Sequence, residues 1–311
     1  MRVLVTGGTG YVGTAVVGRL IAAGHDVSVL TRTSIPAAAE AGCRQGDLLV
    51  PSDLYQAVGG VDAVCHLAAF TRVRGSFTAP LDCFQTNVTG TLNLLDAMQR
   101  ESERTDRPLR LVFASTGAVY GVPAHQPIPE SQYPSPTSPY GASKLAAEIA
   151  IAHQVRTGVV GSVVLRAFNV AGAVGAHRDP DESRIIPKAL AVAAGRARHV
   201  HVNGDGSAER EFVHVDDLAR AYVAALEACR PGDHKVFNVG SGTGVSVKDI
   251  ITTVEQVTGK QVTVTWGPPL PEPAVLLADS SLIRDELSWS PQRSDLTSIV
   301  SDAWSALNTA L

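Results

Sequence analysis

Tyr140 and Lys144 stand four residues apart in Ser138-Pro-Tyr140-Gly-Ala-Ser-Lys144, a spacing that sends both side chains from one helix face, one turn apart. An ammonium beside a phenol favours the phenolate, so the pair reads as a tuned acid–base group. Thr116 closes the apolar run Leu111-Val-Phe-Ala-Ser115-Thr116 and offers a hydroxyl that could bond the same substrate oxygen. Alone, this tyrosine–lysine spacing is common, and a capping tyrosine with a solvated lysine also produces it. A second motif gives it weight. Gly8, Gly10 and Gly13 fit G-x-G-x-x-G, extended by Gly7, after apolar Val3 to Val5 and before apolar Ala15 to Leu20. Strand, tight turn and helix form the context in which glycines admit a dinucleotide diphosphate to a helix N-terminus. Gly7, Gly10, Tyr11, Val12 and Gly13 are therefore candidate cofactor contacts.

The elements that must position these residues follow in order. Gly24-His25-Asp26 makes a turn and Val27 to Leu30 a second strand, which completes a βαβ unit. Thr31-Arg32-Thr33-Ser34 comes next, where an acid would accept bonds from an adenosine ribose and an arginine would accommodate a 2′-phosphate. Arg32 thus favours NADP over NAD, unless it is a solvated loop charge. Glu40 to Gly42 leads to a third, edge strand over Arg44 to Leu48, with Asp47 and Leu48 near an adenine; Asp47 reads equally as a polar loop acid. A short helix over Asp53 to Val58 precedes a buried strand from Ala63 to Ala69, whose last residues, Leu67, Ala68 and Ala69, let a cofactor lie across the strand end. His66 within it reads as a core histidine.

Asn87 to Gln99 is helical by periodicity, with Val88, Leu92, Leu95 and Met98 on one face, and Glu101 to Pro108 reads as a charged link. Gly121 to Pro139 is a proline- and serine-rich loop, followed by a helix from Tyr140 to Ile151, a strand from Val163 to Phe168 and a turn over Asn169 to Gly172. Beyond these the pattern predicts a helix over Ile186 to Ala194, a strand near Val200, strand and helix over Phe212 to Leu226, and a buried strand at Val236 to Val239. Ser246 to Leu311 reads as two helical stretches around the proline-rich Gly267 to Pro273.

Composition narrows the function classes. The 311 residues carry a net charge of −4 with 45% hydrophobic and 18% charged residues, so there is no basic excess to hold nucleic acid. No apolar run is long enough to span a bilayer, and Val3 to Val5 reads as strand rather than leader; the expectation is a cytoplasmic protein. Cys43, Cys65, Cys83 and Cys229 are scattered without a C-x-x-C pair, and His199-x-His201 lacks nearby ligands, so no metal site is expected.

With these pieces assembled, the sequence resembles the extended short-chain dehydrogenase/reductase family, within it the UDP-glucose 4-epimerase branch of NAD-dependent epimerases and dehydratases. The resemblance is carried by Thr6 to Gly13, His66 to Ala69, Asn87-Val-Thr-Gly-Thr91, Ser115 to Gly121 and Ser138 to Lys144. It continues through Leu165-Arg-Ala-Phe-Asn169-Val-Ala-Gly172, Phe212 to Leu218, Phe237 to Gly242 and Pro273 to Ser280. It implies an α/β fold: a Rossmann doubly wound parallel sheet, formed by 1–168 and about 212–240, with a smaller C-terminal substrate-binding cap from about 169–211 and 241–311. Tyr140 becomes the catalytic base, Lys144 its partner and nicotinamide-ribose ligand, and Thr116 the second hydroxyl. Asn87 lies near the cofactor, and Asn169 and Arg210 hold the substrate diphosphate. NAD is the family's default cofactor, against the NADP that Arg32 favours, and a homodimer through the Asn87–Gln99 and Tyr140–Ile151 helices is expected.

The chain departs from the family at Gly267-Pro-Pro-Leu-Pro271, where its epimerases usually carry a substrate-binding Arg and Asp, and at Thr31-Arg32. Three activities compete. Epimerisation at C4 of a nucleotide sugar, expected on a UDP-sugar, would have Tyr140 take the hydroxyl proton while hydride leaves and returns on the other face. A one-way NADPH-dependent 4-ketoreductase of nucleotide deoxysugars would use Tyr140 as acid. A non-catalytic dinucleotide sensor would keep the glycine loop yet tends to lose the Tyr–Lys pair. Dehydratase or decarboxylase chemistry wants a carboxylate just after the strand-end threonine, where this chain has Gly117 and Ala118.

Overall fold

Short apolar strands that end in small residues, each followed by an amphipathic helix, generate a parallel sheet with both faces covered. The computed structural model describes residues 1–33, 41–269 and 273–309, so Ser34, Glu40 and Pro271 of the stretches read above lie outside the described residues. The chain divides into two units. The first comprises Met1–Gly121, Glu130–Ala167 and Ala219–Asn238, and the second Val122–Pro129, Phe168–Leu218 and Val239–Leu311.

The first unit begins with β1 (Arg2–Thr6), α1 (Tyr11–Ala22), β2 (Asp26–Thr31), β3 (Gly42–Gln45), α2 (Pro51–Val58) and β4 (Ala63–His66). It continues through α3 (Val73–Thr78), α4 (Pro80–Phe84), α5 (Gly90–Thr105), β5 (Leu109–Thr116), α6 (Pro139–Val155) and β6 (Val160–Ala167). With β12 (His234–Val239), these strands form a seven-stranded sheet in the order β12-β6-β5-β4-β1-β2-β3. The pairings from β6 across to β3 are parallel. The order reverses direction at β1 and β4, the switch point at which such sheets bind ligands beyond their carboxyl ends. Leu4, Leu54, Val64, Leu94, Leu111, Phe113, Ile151 and Val164 are fully buried in its core.

Several sequence expectations need correction. The fourth strand stops at His66 rather than Ala69, and the third stops at Gln45, leaving Asp47 and Leu48 in the following loop. The helix expected from Asn87 is preceded by α4 and a π-helical turn over Gln85–Thr89, and it runs on to Thr105. Glu101 is therefore not in a link: it is buried on α5, accepting bonds from Arg104 and the Gly60 N–H. Leu92 is exposed: the buried face of α5 runs through Thr91, Leu94, Leu95 and Met98, which leaves Leu92 outside it.

The second unit holds β7 (Asn169–Ala171), β8 (Ala173–Val174), β9 (His177–Arg178), α7 (Ile185–Ala193), β10 (Val200–Asn203) and β11 (Glu209–His214). α8 (Val215–Ala228) starts in it, and its later part contains β13 (Gly244–Ser246), α9 (Val247–Thr258), β14 (Val264–Gly267), β15 (Val275–Leu276), α10 (Ser281–Leu287) and α11 (Leu296–Thr309). Asn169 to Ala171 is thus a strand paired in parallel with β11, where a turn was expected, and the C-terminal part contains three helices among the described residues rather than two. Its core gathers Ile186, Ala189, Leu190, Ile250, Val254, Ile299 and Val300 from α7, α9 and α11.

Candidate active site

The glycine loop is built by close packing. Gly7 adopts φ +73, and a Cβ there would collide with the backbone of Leu67 and Ala68; one on Gly13 would overlap the Gly7 carbonyl. The end of β1, the start of α1 and the end of β4 therefore meet at van der Waals distance, and sequence-predicted Gly7, Gly13, Leu67 and Ala68 are brought together. The Leu67 N–H donates to the Thr6 carbonyl at 3.1 Å and the Ala68 N–H to Thr6 Oγ1 at 3.2 Å. Gly10 N-caps α1 without a side-chain cap, and no acid occupies the first turn, where Tyr11 and Val12 stand half-buried. Such a helix start presents backbone N–H groups and the positive end of its dipole, which fits a dinucleotide diphosphate.

The rest of the predicted cofactor set lies on neighbouring strand ends. Thr31 is buried, its hydroxyl donating to the Thr33 carbonyl at 2.9 Å, while Arg32 is exposed. The Asp47 N–H donates to Asp53 at 3.0 Å and its carboxylate accepts from the Leu49 N–H at 2.9 Å. Leu48 is buried against Gly90, and its carbonyl accepts from Asn93 at 3.0 Å. Ala69 is half-buried after β4.

Ser138 caps α6, accepting from the Gly141 N–H, so the helix starts where Tyr140 leaves its first turn. Two serines hold that turn. The Tyr140 N–H donates to Ser76 Oγ at 3.2 Å, and the Tyr140 carbonyl accepts from Ser143 Oγ at 2.8 Å. Asn87 is buried: its Oδ1 accepts from the Phe70 N–H at 2.7 Å, and its Nδ2 donates to the Phe70 carbonyl at 3.2 Å and to Ser143 Oγ at 2.9 Å. Its amide thus ties the loop after β4 to α6. Thr116 ends β5, its Oγ1 accepting from the Ala118 N–H at 3.1 Å, with its own proton left to donate.

Lys144 is 3% exposed, its Nζ 4.7 Å from the centre of the Phe113 ring. Burial pulls its ammonium down to about 8, against Glu148, which pushes it back up. Burial, and next the Lys144 charge, hold His66 down at about 3. The neutral ring bonds on both sides. Thr91 Oγ1 spends its proton on the Asn87 carbonyl at 2.7 Å, so it accepts from His66 Nε2 at 3.0 Å, and Nδ1 accepts from Thr6 at 2.6 Å. His66 is a core residue, as read from the sequence.

Sequence reasoning missed the layer behind Lys144. Ser115 donates to Glu148 on α6, and Arg166 on β6 grips the same carboxylate through Nε at 3.1 Å and Nη2 at 2.6 Å. Arg166 Nη1 also donates to Tyr120 Oη at 2.9 Å, and Tyr120 donates to Asn238 Oδ1 at 2.7 Å. Glu148 lies four residues beyond Lys144, and that spacing was the available signal.

In the second unit, Asn169 stands opposite Phe212 in the β7–β11 pairing, its Nδ2 donating to the Glu211 carbonyl at 2.8 Å. Arg210 lies on β11, its Nη1 donating to the Glu209 carbonyl at 2.8 Å. One small sheet thus carries both predicted substrate residues. No helix is long and apolar enough to cross a membrane, and no metal-ligating cluster occurs, among the described residues.

The comparisons with known proteins agree with this fold. The model of the NAD dependent epimerase/dehydratase family matches residues 3–240. The chain is 38% identical to the UDP-glucose 4-epimerase of Corynebacterium glutamicum, covering 100% of this chain and 97% of that protein. It is 41% identical to the enzyme of the same name from Streptomyces lividans, over 97% and 95%. A solved UDP-glucose 4-epimerase from Stenotrophomonas maltophila, with bound NAD and formylated UDP-arabinopyranose, superposes with a TM-score of 0.92 at 32% identity, covering 100% of both chains. One from Brucella ovis in complex with NAD gives 0.90 at 33%, over 98% and 97%. On the family match and these relatives, the chain belongs to the NAD dependent epimerase/dehydratase family.

Proposed function

We propose that this chain is a UDP-sugar 4-epimerase. The observation that carries the reading is Tyr140, locked by Ser76 and Ser143 at the head of α6, with Lys144 buried one turn on. Gly7, Gly10 and Gly13 with the start of α1 would hold the diphosphate of a nicotinamide dinucleotide, which supplies a reversible hydride acceptor for the sugar C4. Tyr140 accepts the C4 hydroxyl proton and later returns it. Lys144 favours the phenolate and binds the ribose, and Thr116, with its oxygen engaged by Ala118, donates its proton to the sugar oxygen. Gly117 and Ala118, without a carboxylate, leave no group for dehydration. Asn169 and Arg210 are proposed to bind the substrate diphosphate, the first unit to be the dinucleotide-binding domain and the second the substrate cap.

Exposed Arg32 favours a 2′-phosphate, whereas the solved relatives named above carry NAD. We therefore assign NAD(P), with the dinucleotide that copurifies deciding between the two forms. Exposed Leu81, at 82%, with Phe84, Leu92 and Ile149 on α4, α5 and α6, supports a homodimer through these helices. Light scattering checks it: twice the chain mass is expected, and a monomer refutes it. A cytoplasmic location is the accompanying proposal. The test of function is chromatography of UDP-glucose, or a related UDP-sugar, incubated with the purified protein, with and without added NAD. Interconversion with its C4 epimer is expected; its absence across the UDP-sugars refutes the reading. Stoichiometric NADPH consumption with a keto-sugar would instead indicate the reductase.

A further inference from the structure

We propose that Glu148 is a positioning residue for this reaction: fixed by Ser115 and Arg166, its carboxylate supplies the negative charge that keeps Lys144 protonated one helical turn away. The inference rests on the epimerase reading of Tyr140 and Lys144, and adds a residue outside that set.

Three observations converge on Glu148. It is 5% exposed and lies at i+4 from Lys144, so the two side chains leave the same face of α6. Its oxygens are fully engaged, Oε1 accepting from Ser115 and Arg166 Nε, and Oε2 from Arg166 Nε at 3.2 Å and Nη2 at 2.6 Å. Arg166 is itself buried and secured by Tyr120, at 2.9 Å and with its guanidinium 4.9 Å from the ring centre. The carboxylate can therefore neither turn to solvent nor follow Lys144. Ser115 also links it directly to the strand end that carries Thr116.

The other groups facing Lys144 are not carboxylates. Tyr140 precedes it on α6, the Cys83 thiol comes from α4, neutral His66 from β4 and the Phe113 ring from β5. Arg166 on β6 is matched by Glu148, and Tyr222 on α8 faces Tyr140 and Cys65 with its phenol held protonated by burial. Glu148 is the carboxylate of the set. From one helical turn away its charge raises the Lys144 ammonium against the burial that lowers it, which bears on whether the lysine is charged at neutral pH.

The experiment is the pH dependence of kcat and kcat/KM for UDP-sugar interconversion, with melting curves, for the wild type, Glu148→Gln, and Glu148→Gln combined with Arg166→Met. The double variant removes both buried charges, so it folds even where Glu148→Gln leaves Arg166 uncompensated. The alkaline limb is expected to move acidward by about one pH unit or more in both variants, with kcat at neutral pH about tenfold lower. A folded double variant with the wild-type alkaline limb overturns the proposal, because Glu148 then merely matches Arg166. If the wild type interconverts no UDP-sugar, the functional reading fails separately. The Glu148 claim is then decided by calorimetric NAD binding against pH, where the same acidward shift supports it and an unchanged curve overturns it.

Discussion

Two of the buried carboxylates, one in each unit, are stabilised differently. Glu148, in the first unit, meets a guanidinium through several charge-assisted bonds. Glu211, in the second, is 0% exposed and accepts chiefly from backbone, Oε1 from the Gly242 N–H and Oε2 from the Ala278 N–H at 2.7 Å. Burial pushes the Glu211 carboxyl up, and those N–H groups pull it back. A Cβ on Gly240 would strike its carboxylate, so the loop before Gly242 is wrapped onto it. The difference separates two uses of buried charge. A fixed ion pair leaves an oriented field that can act on Lys144, whereas a carboxylate surrounded by amides fastens loops together.

Substitutions can break this contrast. Tyr140→Phe, which removes the proton acceptor and leaves the field intact, is expected to lower kcat about 10³–10⁴-fold without altering the melting temperature; retention of more than a tenth of the activity would refute the base assignment. Lys144→Met is expected to cost about 10²–10³-fold in kcat while holding or raising the melting temperature by about 2–5 °C at pH 7. The sign follows from burial. Below about 8 the folded and unfolded chains both hold the Lys144 proton, so folding bears the full cost of burying the charge. Between there and the ordinary lysine range the unfolded chain holds the proton that the fold has released, so stability rises with pH, and the variant loses that slope. A marked drop in melting temperature would show Lys144 to be structural.

Glu211→Gln tests the other side. One backbone N–H loses its acceptor, and unfolding in urea is expected to become easier by about 1–3 kcal/mol, with the alkaline limb of activity unmoved. A shifted limb would erase the distinction between the two carboxylates. A further effect, confined to acid pH, concerns His66. The unfolded chain takes up its proton near 6.5 while the fold refuses it down to about 3, so stability is lost as pH falls through that window. By pH 5 the loss is about 2 kcal/mol, and His66→Gln should abolish it.

The candidate site residues could be proposed from the sequence because their motifs are local. The glycine loop lies within one βαβ turn, and Tyr140 and Lys144 share one helix. What escaped reading depends on contacts distant in sequence. Arg166 meets Glu148 across 18 positions, and Tyr120 meets Asn238 across 118. Asn169 to Ala171 looked like a turn because Gly172 follows it, yet pairing with β11 makes it a strand. Glu101 looked solvated because the Gly60 N–H that buries it lies 41 positions away, although Arg104 at i+3 was in view. The buried face of the helix after Asn87 was misjudged because polar Thr91 lies on it and apolar Leu92 does not, and hydrophobic periodicity follows the apolar residue.

The most direct test of the central claim approaches equilibrium from both directions. Purified protein is incubated separately with UDP-glucose and with its C4 epimer, and the sugar nucleotides and dinucleotide are quantified together. The account predicts one common mixture reached from either side, with many turnovers per bound dinucleotide and no net change in its oxidation state. Conversion in one direction with one dinucleotide consumed per sugar, or no conversion from either, would contradict it.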